Sequence, residues 1–289
     1  MPSFAAEQVR QQIALRRQVE VVRPRRRIPR LLEPAGIRRD YERALRRMVD
    51  RLRAFVQPDI DAMRPILERA RSERRDGPGD DALELIESLR RRLANVISLE
   101  DAKRLGQQVA QRTAAFHSQV FQRQVRAGLG VDVLIPDSGI TNVTEAFAAE
   151  NAALIRDIPA ELAAKIAKAS TRAVAEGKLH GEFAKEIEGA FGFEKKRAKR
   201  IARDQVGKLY GQINATRQRN MGIGRFVWRT VNDRRVRGTP GGAFPNAKPS
   251  HYALEGKTFS YPDGAPGVGL PGEPINCRCW AEGVMEDLL

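Results

Sequence analysis

The chain has 289 residues, which is enough for about two domains with a substantial apolar core. Aromatic residues make up 6% and charged residues 30% of it, a balance that disfavours a β-sandwich or barrel and favours long helices with charged faces. Lys and Arg number 51 against 36 Asp and Glu, for a formal net charge of +15. This excess indicates a polyanionic neighbour such as nucleic acid or an acidic protein surface.

Positive charge is concentrated at the N-terminus, where residues 1–57 hold 15 Lys and Arg but only 6 Asp and Glu. A short amphipathic helix is predicted over 7–22, and the three prolines and five arginines of 23–34 then indicate an extended arm. Guanidinium groups suit phosphate, so the arm either contacts DNA without base specificity or is a solvated surface. The candidate DNA-binding residues are Arg23, Arg25, Arg26, Arg27 and Arg30.

Hydrophobic periodicity predicts helices over most of the next 190 residues or so. Apolar residues recur at spacings of three and four, and prolines, glycines and a capping box at Ser98–Asp101 mark the expected ends. Residues 131–135 alternate and are expected to form a short strand. The predicted helices are 37–57, one beginning at Pro58, 83–96, 98–127, 142–156, 159–177, 181–190 and 194–220.

The pattern changes after residue 222. Residues 226–231 are aromatic and β-branched, as in a strand, and glycine and proline are frequent over 238–272. We therefore predict a mainly α protein that ends in a small α+β module of strands and loops. The expected domains are a basic helix and arm at 1–35, a helical domain at 36–130, the helical part of a second domain at 131–222, and the strand-and-loop module at 223–289.

The chain lacks the motifs of common enzymes and of membrane proteins. There is no phosphate-binding glycine loop with its lysine, no nucleophile elbow and no zinc-protease helix motif. No segment reaches the ~18 consecutive apolar residues of a membrane span, and the N-terminus does not resemble a signal peptide. We expect a protein that is not an enzyme, does not contact a membrane and is synthesised in a reducing cytoplasm. His117, between Phe116 and Phe121 in sequence, is expected to be a core histidine.

Four potential metal ligands lie in the C-terminal module, which has few large apolar residues and needs a local fastening. Thiolate, imidazole and carboxylate all bind zinc, and two cysteines one residue apart share a side of an extended strand. We predict that these side chains converge, either around zinc or in a hydrogen-bonded cluster in which an arginine pairs with the carboxylate. The candidate ligands are Asp233, His251, Cys277 and Cys279, and the candidate arginines are Arg235, Arg237 and Arg278.

Four motifs follow in order between residues 200 and 279. They are Arg200-Ile-Ala-Arg-Asp204, the run from Phe226 to Arg237, His251-x-x-Leu254-x-Gly256-x-x-Phe259, and Pro271-Gly-x-Pro-x-Asn-Cys-Arg-Cys279. Together they resemble the phage Mu F-like head morphogenesis family, the minor head proteins of tailed bacteriophages, over about residues 140–285. One departure is an insertion of 13 residues, Gly238–Ser250, ahead of the histidine.

The resemblance assigns the family motifs to particular residues of this chain. It places the D-x-R-x-R element on Asp233, Arg235 and Arg237, and the family histidine on His251. The L-x-G element falls on Leu254 and Gly256, and the C-R-C element on Cys277, Arg278 and Cys279. These residues are expected to form the structural motif of the module.

The resemblance also implies a function and partners. It implies a minor head protein that acts in head assembly and in genome packaging or delivery at the portal, with non-specific DNA contact. The implied partners are the portal protein, with several copies around it, the double-stranded DNA genome, and the major capsid protein as a further candidate. The implied location is the virion, in the head near the portal vertex.

Two other functions stay open at this point. The first is a metal-dependent nuclease or hydrolase that uses Asp233, His251, Cys277 and Cys279, although only one carboxylate accompanies the other ligands. The second is a plain non-specific DNA-binding protein, which would explain the charge but not the C-terminal cluster.

Overall fold

The computed structural model describes residues 4–19, 31–73, 79–130 and 132–288, and in these ranges the fold is mainly helical, as predicted. Its α-helices are α1 (Phe4–Val19), α2 (Ala35–Glu73), α3 (Asp80–Asn95), α4 (Leu99–Leu129), α5 (Ile140–Ala175) and α6 (His180–Asn220). No helix in the described ranges has an apolar stretch long enough to cross a membrane. The predicted cap at the start of α4 is confirmed, because the Asp101 N–H donates to Ser98 Oγ at 3.0 Å.

A small sheet follows α6 and confirms the predicted C-terminal module. Strands β1 (Arg225–Arg229), β2 (Thr258–Ser260) and β3 (Trp280–Gly283) are antiparallel in the order β2–β1–β3. Phe226 pairs with Phe259, and Trp228 pairs with Ala281. Short 3₁₀ helices at Tyr252–Leu254 and Met285–Leu288 complete the module.

Two expected helix starts are wrong, because Pro58 and Pro159 both lie inside long helices. A proline in a helix removes one hydrogen bond and costs about 3 kcal/mol. In α2 the apolar stripe continues in phase across Pro58, so that Val56, Ile60 and Met63 are all buried. Burial along this continuous face offsets the local cost, and α5 continues through its proline in the same way.

Two other local predictions also differ from the structure. The predicted helices 181–190 and 194–220 are one helix, α6. Residues 132–137 contain no strand, although Val133 is buried. The Leu134 N–H donates to the Gln12 side chain at 2.9 Å, so this backbone group is satisfied by a side chain of α1 and not by a neighbouring strand.

The chain divides into two compact units that are discontinuous in sequence. Unit 1 consists of Met1–Arg38, Gln107–Phe147 and Arg203–Leu289, and unit 2 of Arg39–Gly106 and Ala148–Ala202. Helices α2, α4, α5 and α6 therefore each contribute residues to both units. This division differs from the linear domain order expected from composition, in which 36–130 and 131–222 are separate.

Unit 2 has a helical core in which the apolar stripe of α2 is the main element. Tyr41, Leu45 and Leu52 are fully buried, and the Tyr41 hydroxyl donates to the Asn151 carboxamide at 2.9 Å. Phe55, which the spacing places on the same stripe, is 36% exposed. The true repeat of the helix rotates Phe55 away from the core, because 3.6 residues per turn do not match a strict alternation of three and four.

In unit 1, a buried polar network joins α4, α6 and β3. His117 Nδ1 accepts from Arg217 at 2.9 Å, and His117 Nε2 lies 3.3 Å from the Asn214 carboxamide oxygen. The side-chain amides of Asn214 and Gln218 both donate to the Ala281 carbonyl, at 2.9 and 3.0 Å. Because every bond here is buried, losing one partner would leave another polar group unsatisfied. The prediction that His117 is a core histidine is confirmed.

We expect His117 to make stability depend on pH. Burial, followed by the charge of Arg217, lowers the pKa of His117 from 6.5 to about 3. The unfolded chain binds a proton that the folded chain excludes, so this contribution is complete above pH 6.5 and is lost as pH falls toward 3. The free energy of unfolding should fall by about 2 kcal/mol between pH 7 and pH 5 through this residue alone. Urea unfolding at both pH values measures the change.

His117→Gln keeps a donor and an acceptor but does not titrate, so this variant should lose that part of the pH dependence. The control is His180→Gln, which should keep that part of the pH dependence, because it leaves His117 and its contacts with Arg217 and Asn214 unchanged. Equal pH dependence in wild type and His117→Gln would contradict the assignment.

Candidate metal centre and its supporting contacts

Three of the four predicted ligands come together in unit 1. His251 Nδ1 lies 3.5 Å from Cys277 Sγ and 3.6 Å from Cys279 Sγ, and the three donor atoms are all within 4.8 Å of one another. His251 and Cys279 are buried, and Cys277 is half-buried. The three side chains therefore form a compact cluster of one imidazole and two thiols.

The donor set fits zinc in chemistry and in spacing. Zinc bonds of about 2.3 Å to sulfur and about 2.05 Å to nitrogen, at the tetrahedral angle, give an S···N separation of about 3.6 Å. Both observed separations from His251 agree with this value. The cluster thus supplies three of the four positions of a tetrahedral site.

The pKa values of the two thiols are shifted in opposite directions. The pKa of the Cys277 thiol is lowered well below its ordinary value, first because the Cys279 thiol donates to its sulfur and also because His251 lies beside it. The pKa of Cys279 is raised, first by the same pairing and then by burial. In addition, the Cys279 N–H donates to Cys277 Sγ at 3.4 Å. Cys277 is therefore the thiol that reaches the thiolate form, the form that binds metal.

The fourth predicted ligand, Asp233, is engaged elsewhere. Both of its carboxylate oxygens accept from the Arg278 guanidinium, and Oδ1 also accepts from the Arg235 N–H at 2.8 Å. The pKa of Asp233 is lowered, first by Arg278, and that of Arg278 is raised by the same pairing. Among the described residues, the cluster of donor atoms does not include this carboxylate. Asp233 instead holds Arg278, the residue between the two cysteines, in an ion pair.

Two further contacts hold the loop that carries the cysteines. The Arg237 guanidinium donates to the Ile275 carbonyl at 3.0 Å. Asp204 of α6 accepts from the Asn276 N–H at 2.6 Å, where Asn276 adopts a left-handed φ of 55°. Together with the pair between Asp233 and Arg278, these contacts fix three of the four residues from 275 to 278.

The 13-residue insertion closes on itself and brings His251 back to the site. The Gly238 N–H donates to the Phe244 carbonyl at 2.9 Å, and the Tyr252 N–H donates to the Arg237 carbonyl at 3.0 Å. Gly238 has φ of 80°, and a Cβ there would lie 1.9 Å from Ser250 Oγ. Glycine is thus required where the two ends of the insertion meet.

The ring of His251 is positioned by the sheet. It packs against Trp228 of β1 in a T-shaped contact with centroids 5.5 Å apart. The Trp228 carbonyl accepts from the Gly256 N–H at 2.9 Å, and Gly256 turns the chain with φ of 76°. His251 Nε2 has no hydrogen-bond partner among the described residues, which leaves Nδ1 as the atom directed at the sulfurs.

Sequence reasoning did not assign roles to Trp228 or Asp204. Trp228 lies in the aromatic, β-branched run that predicts β1, and Asp204 closes the motif that begins at Arg200. Neither pattern indicates a contact with the cysteine loop, because Asp204 and Asn276 are 72 positions apart. The five predicted DNA-contacting arginines, Arg23, Arg25, Arg26, Arg27 and Arg30, lie outside the described residues.

Comparison with known proteins identifies the region that carries this site. A protein of Haemophilus influenzae (strain ATCC 51907 / DSM 11121 / KW20 / Rd), described as an uncharacterized protein, is 29% identical over 174 residues. The alignment covers 59% of this chain and 36% of that protein, so the chain spans about a third of the relative's length. No solved structure matches the chain.

A family profile gives the assignment. Residues 164–282 match the family described as Phage Mu protein F like protein. This range contains His251, both cysteines and the residues Asp204, Asp233 and Arg278 that hold the cysteine loop. The resemblance inferred from the motifs is therefore confirmed, and the chain carries a phage Mu F-like region at residues 164–282.

Proposed function

We propose that the protein is a minor head protein of a tailed bacteriophage, acting in head assembly and in genome packaging or delivery at the portal. The match of residues 164–282 to the phage Mu F-like family, a family of head morphogenesis proteins, carries the proposal. The virion is the location that this family implies. The portal partner is inferred from the long helices, and the DNA contact from the arginine-rich arm.

The length of the helices and the charge on their exposed faces support a docking role. Helices α2 and α6 are 39 and 41 residues long, and their exposed positions include many arginines and lysines. Long, rigid helices with charged outer faces suit attachment to a ring of repeated subunits, whose symmetry presents the same surface many times. In this proposal several copies bind around one portal.

We further propose that the cluster of His251, Cys277 and Cys279 holds a structural zinc ion. The module has 12 residues in strands and long glycine-rich connections, so burial alone supplies little stability. A metal that links the loop after Arg237 to the loop before β3 would supply the missing constraint, since structural zinc contributes directly to folding.

The zinc proposal predicts about one zinc per chain in freshly reduced protein. Cys277→Ser, Cys279→Ser and His251→Gln should each lose the metal, because each removes one of the donors. Asp233→Asn is the matched control and should retain zinc, since this carboxylate bonds Arg278 and not the donor cluster. Elemental analysis measures the content. Metal-free wild type would contradict the proposal, and loss in Asp233→Asn equal to that in Cys277→Ser would contradict the three-residue donor set.

The DNA contact predicts binding that falls steeply with salt. Replacing the five arm arginines with glutamine should lower the slope of log affinity against log salt by up to about 4.5, because each lost phosphate contact removes about 0.9. Fluorescence anisotropy with duplexes of unrelated sequence measures this. The control replaces five exposed arginines of α2 and α3 and should leave the slope unchanged. These control residues are Arg47, Arg51, Arg64, Arg71 and Arg91.

The portal proposal predicts that the purified protein cosediments with assembled portal rings in several copies per ring. Rings of an unrelated portal and hexamers of the major capsid protein serve as comparisons. Absence of the protein from purified portal-containing heads, or an undiminished yield of infectious particles after deletion of its gene, would contradict this role.

A further inference from the structure

Unit 1 contains a cavity beside the cysteine loop, with a volume of about 50 Å³. Its walls come from the segment that enters α2, from α6, and from the loop that leads into β3. Leu31, Val206 and Trp280 form an apolar part of the lining. A cavity of this size admits several water-sized groups or one small polyatomic ion.

Three arginines line this cavity, and only one acidic residue does. The arginines are Arg38, Arg203 and Arg278, and the acidic residue is Glu33. Glu33 bonds Arg38 at 3.5 Å, and Arg278 is paired with Asp233. Arg203 makes no ion pair with any residue that the structure describes, so the cavity has an excess of positive charge centred on this guanidinium.

Arg203 is also incompletely satisfied as a hydrogen-bond donor. Its Nε is buried and has no hydrogen-bond partner among the described residues. The pKa of Arg203 is lowered, first by burial and then by the charges of Arg278, Arg235 and Arg38. Buried polar groups in native proteins are normally paired, and like charges so close together destabilise one another. An anion in the cavity would relieve both conditions at once.

A second unpaired donor lines the same cavity. Tyr210 is 7% exposed, and its hydroxyl is buried with no hydrogen-bond partner among the described residues. Arg203 and Tyr210 are seven positions apart on α6, which places them two turns apart on one face. Gly207, between them, also lines the cavity.

We propose that this cavity is a binding site for a phosphate-type oxyanion, held by Arg203 and Tyr210 and attracted by the charges of Arg38 and Arg278. Guanidinium groups bind phosphate through two parallel hydrogen bonds, and a tetrahedral oxyanion has enough acceptor atoms for several donors. Cys277 and Cys279 also line the cavity, so the site lies directly beside the proposed zinc ligands. It does not depend on the role at the portal. A phosphomonoester, such as a nucleotide or DNA end, and a backbone phosphodiester share this chemistry.

The test follows tryptophan fluorescence of the full, reduced chain during titration with inorganic phosphate at constant ionic strength. Trp280 lines the cavity, and Trp228 is fully buried, so a ligand in the cavity should alter the signal of the first. Wild type should saturate, and Arg203→Gln should weaken the apparent affinity at least tenfold. Tyr210→Phe should weaken it less.

Arg219→Gln is the matched control. Arg219 is exposed on the same helix, and this substitution removes one positive charge just as Arg203→Gln does. It should keep the wild-type affinity within twofold. Circular dichroism and metal content show whether each variant is folded. A variant Arg203→Lys, which retains the charge but lacks the planar donor fork, should bind with intermediate affinity and keeps the test valid if Arg203→Gln does not fold.

Competition then identifies the source of the phosphate. A nucleoside monophosphate that displaces inorganic phosphate indicates a phosphomonoester, whereas a short oligonucleotide without terminal phosphate that does so indicates the DNA backbone. Equal titrations of wild type and Arg203→Gln, no saturable response of wild type to phosphate, or equal binding of acetate would overturn the proposal. None of these results bears on portal binding, so the two failures can be distinguished.

Discussion

The close approach of the C-terminal loop to α6 is the constraint on which the rest of unit 1 depends. A Cβ at Gly211 would lie 2.7 Å from the Pro271 carbonyl oxygen and 3.3 Å from Gly272 Cα. Glycine within a helix costs about 1 kcal/mol relative to alanine, yet here it lets loop backbone lie directly on the helix. Contact with the helix thereby restricts the conformation of a loop that has little secondary structure of its own.

That contact explains why so many polar interactions of the module end on α6. Asn214 and Gln218 donate to the Ala281 carbonyl, and Asp204 accepts from Asn276. Each bond satisfies backbone that three short strands leave unpaired, because edge strands and connecting loops cannot complete a ladder. The helix therefore acts as a fourth partner of the sheet, through side chains where a strand would use its backbone.

The sequence predicted which helices, strands and candidate site residues the protein has. It predicted less well where the helices end and which side chains contact one another. Periodicity located α3 and α4 closely, because the glycines and the capping box that mark their ends coincide with the ends of their apolar stripes. It failed at Pro58, where burial on both sides outweighs one lost hydrogen bond. Composition could not predict two units built from separate segments, because that division depends on contacts between distant helices. Likewise, Asp233 could be foreseen as a ligand or as an ion-pair partner, but only the fold brings Arg278 within reach.

The pairing of Asp233 with Arg278 also bears on the hydrolase alternative. That alternative requires a carboxylate beside the thiols and imidazole, as a metal ligand or as a base. Arg278 and the Arg235 N–H hold both oxygens of Asp233 and lower its pKa, so this group is a poor proton acceptor. Two thiolates and a neutral imidazole would balance the charge of one zinc ion. A zinc ion at this position would link loops that are bonded to α6, which is the role of a structural metal. Among the arginines that line the cavity, Arg203 is the one with no ion-pair partner in the described part of the chain.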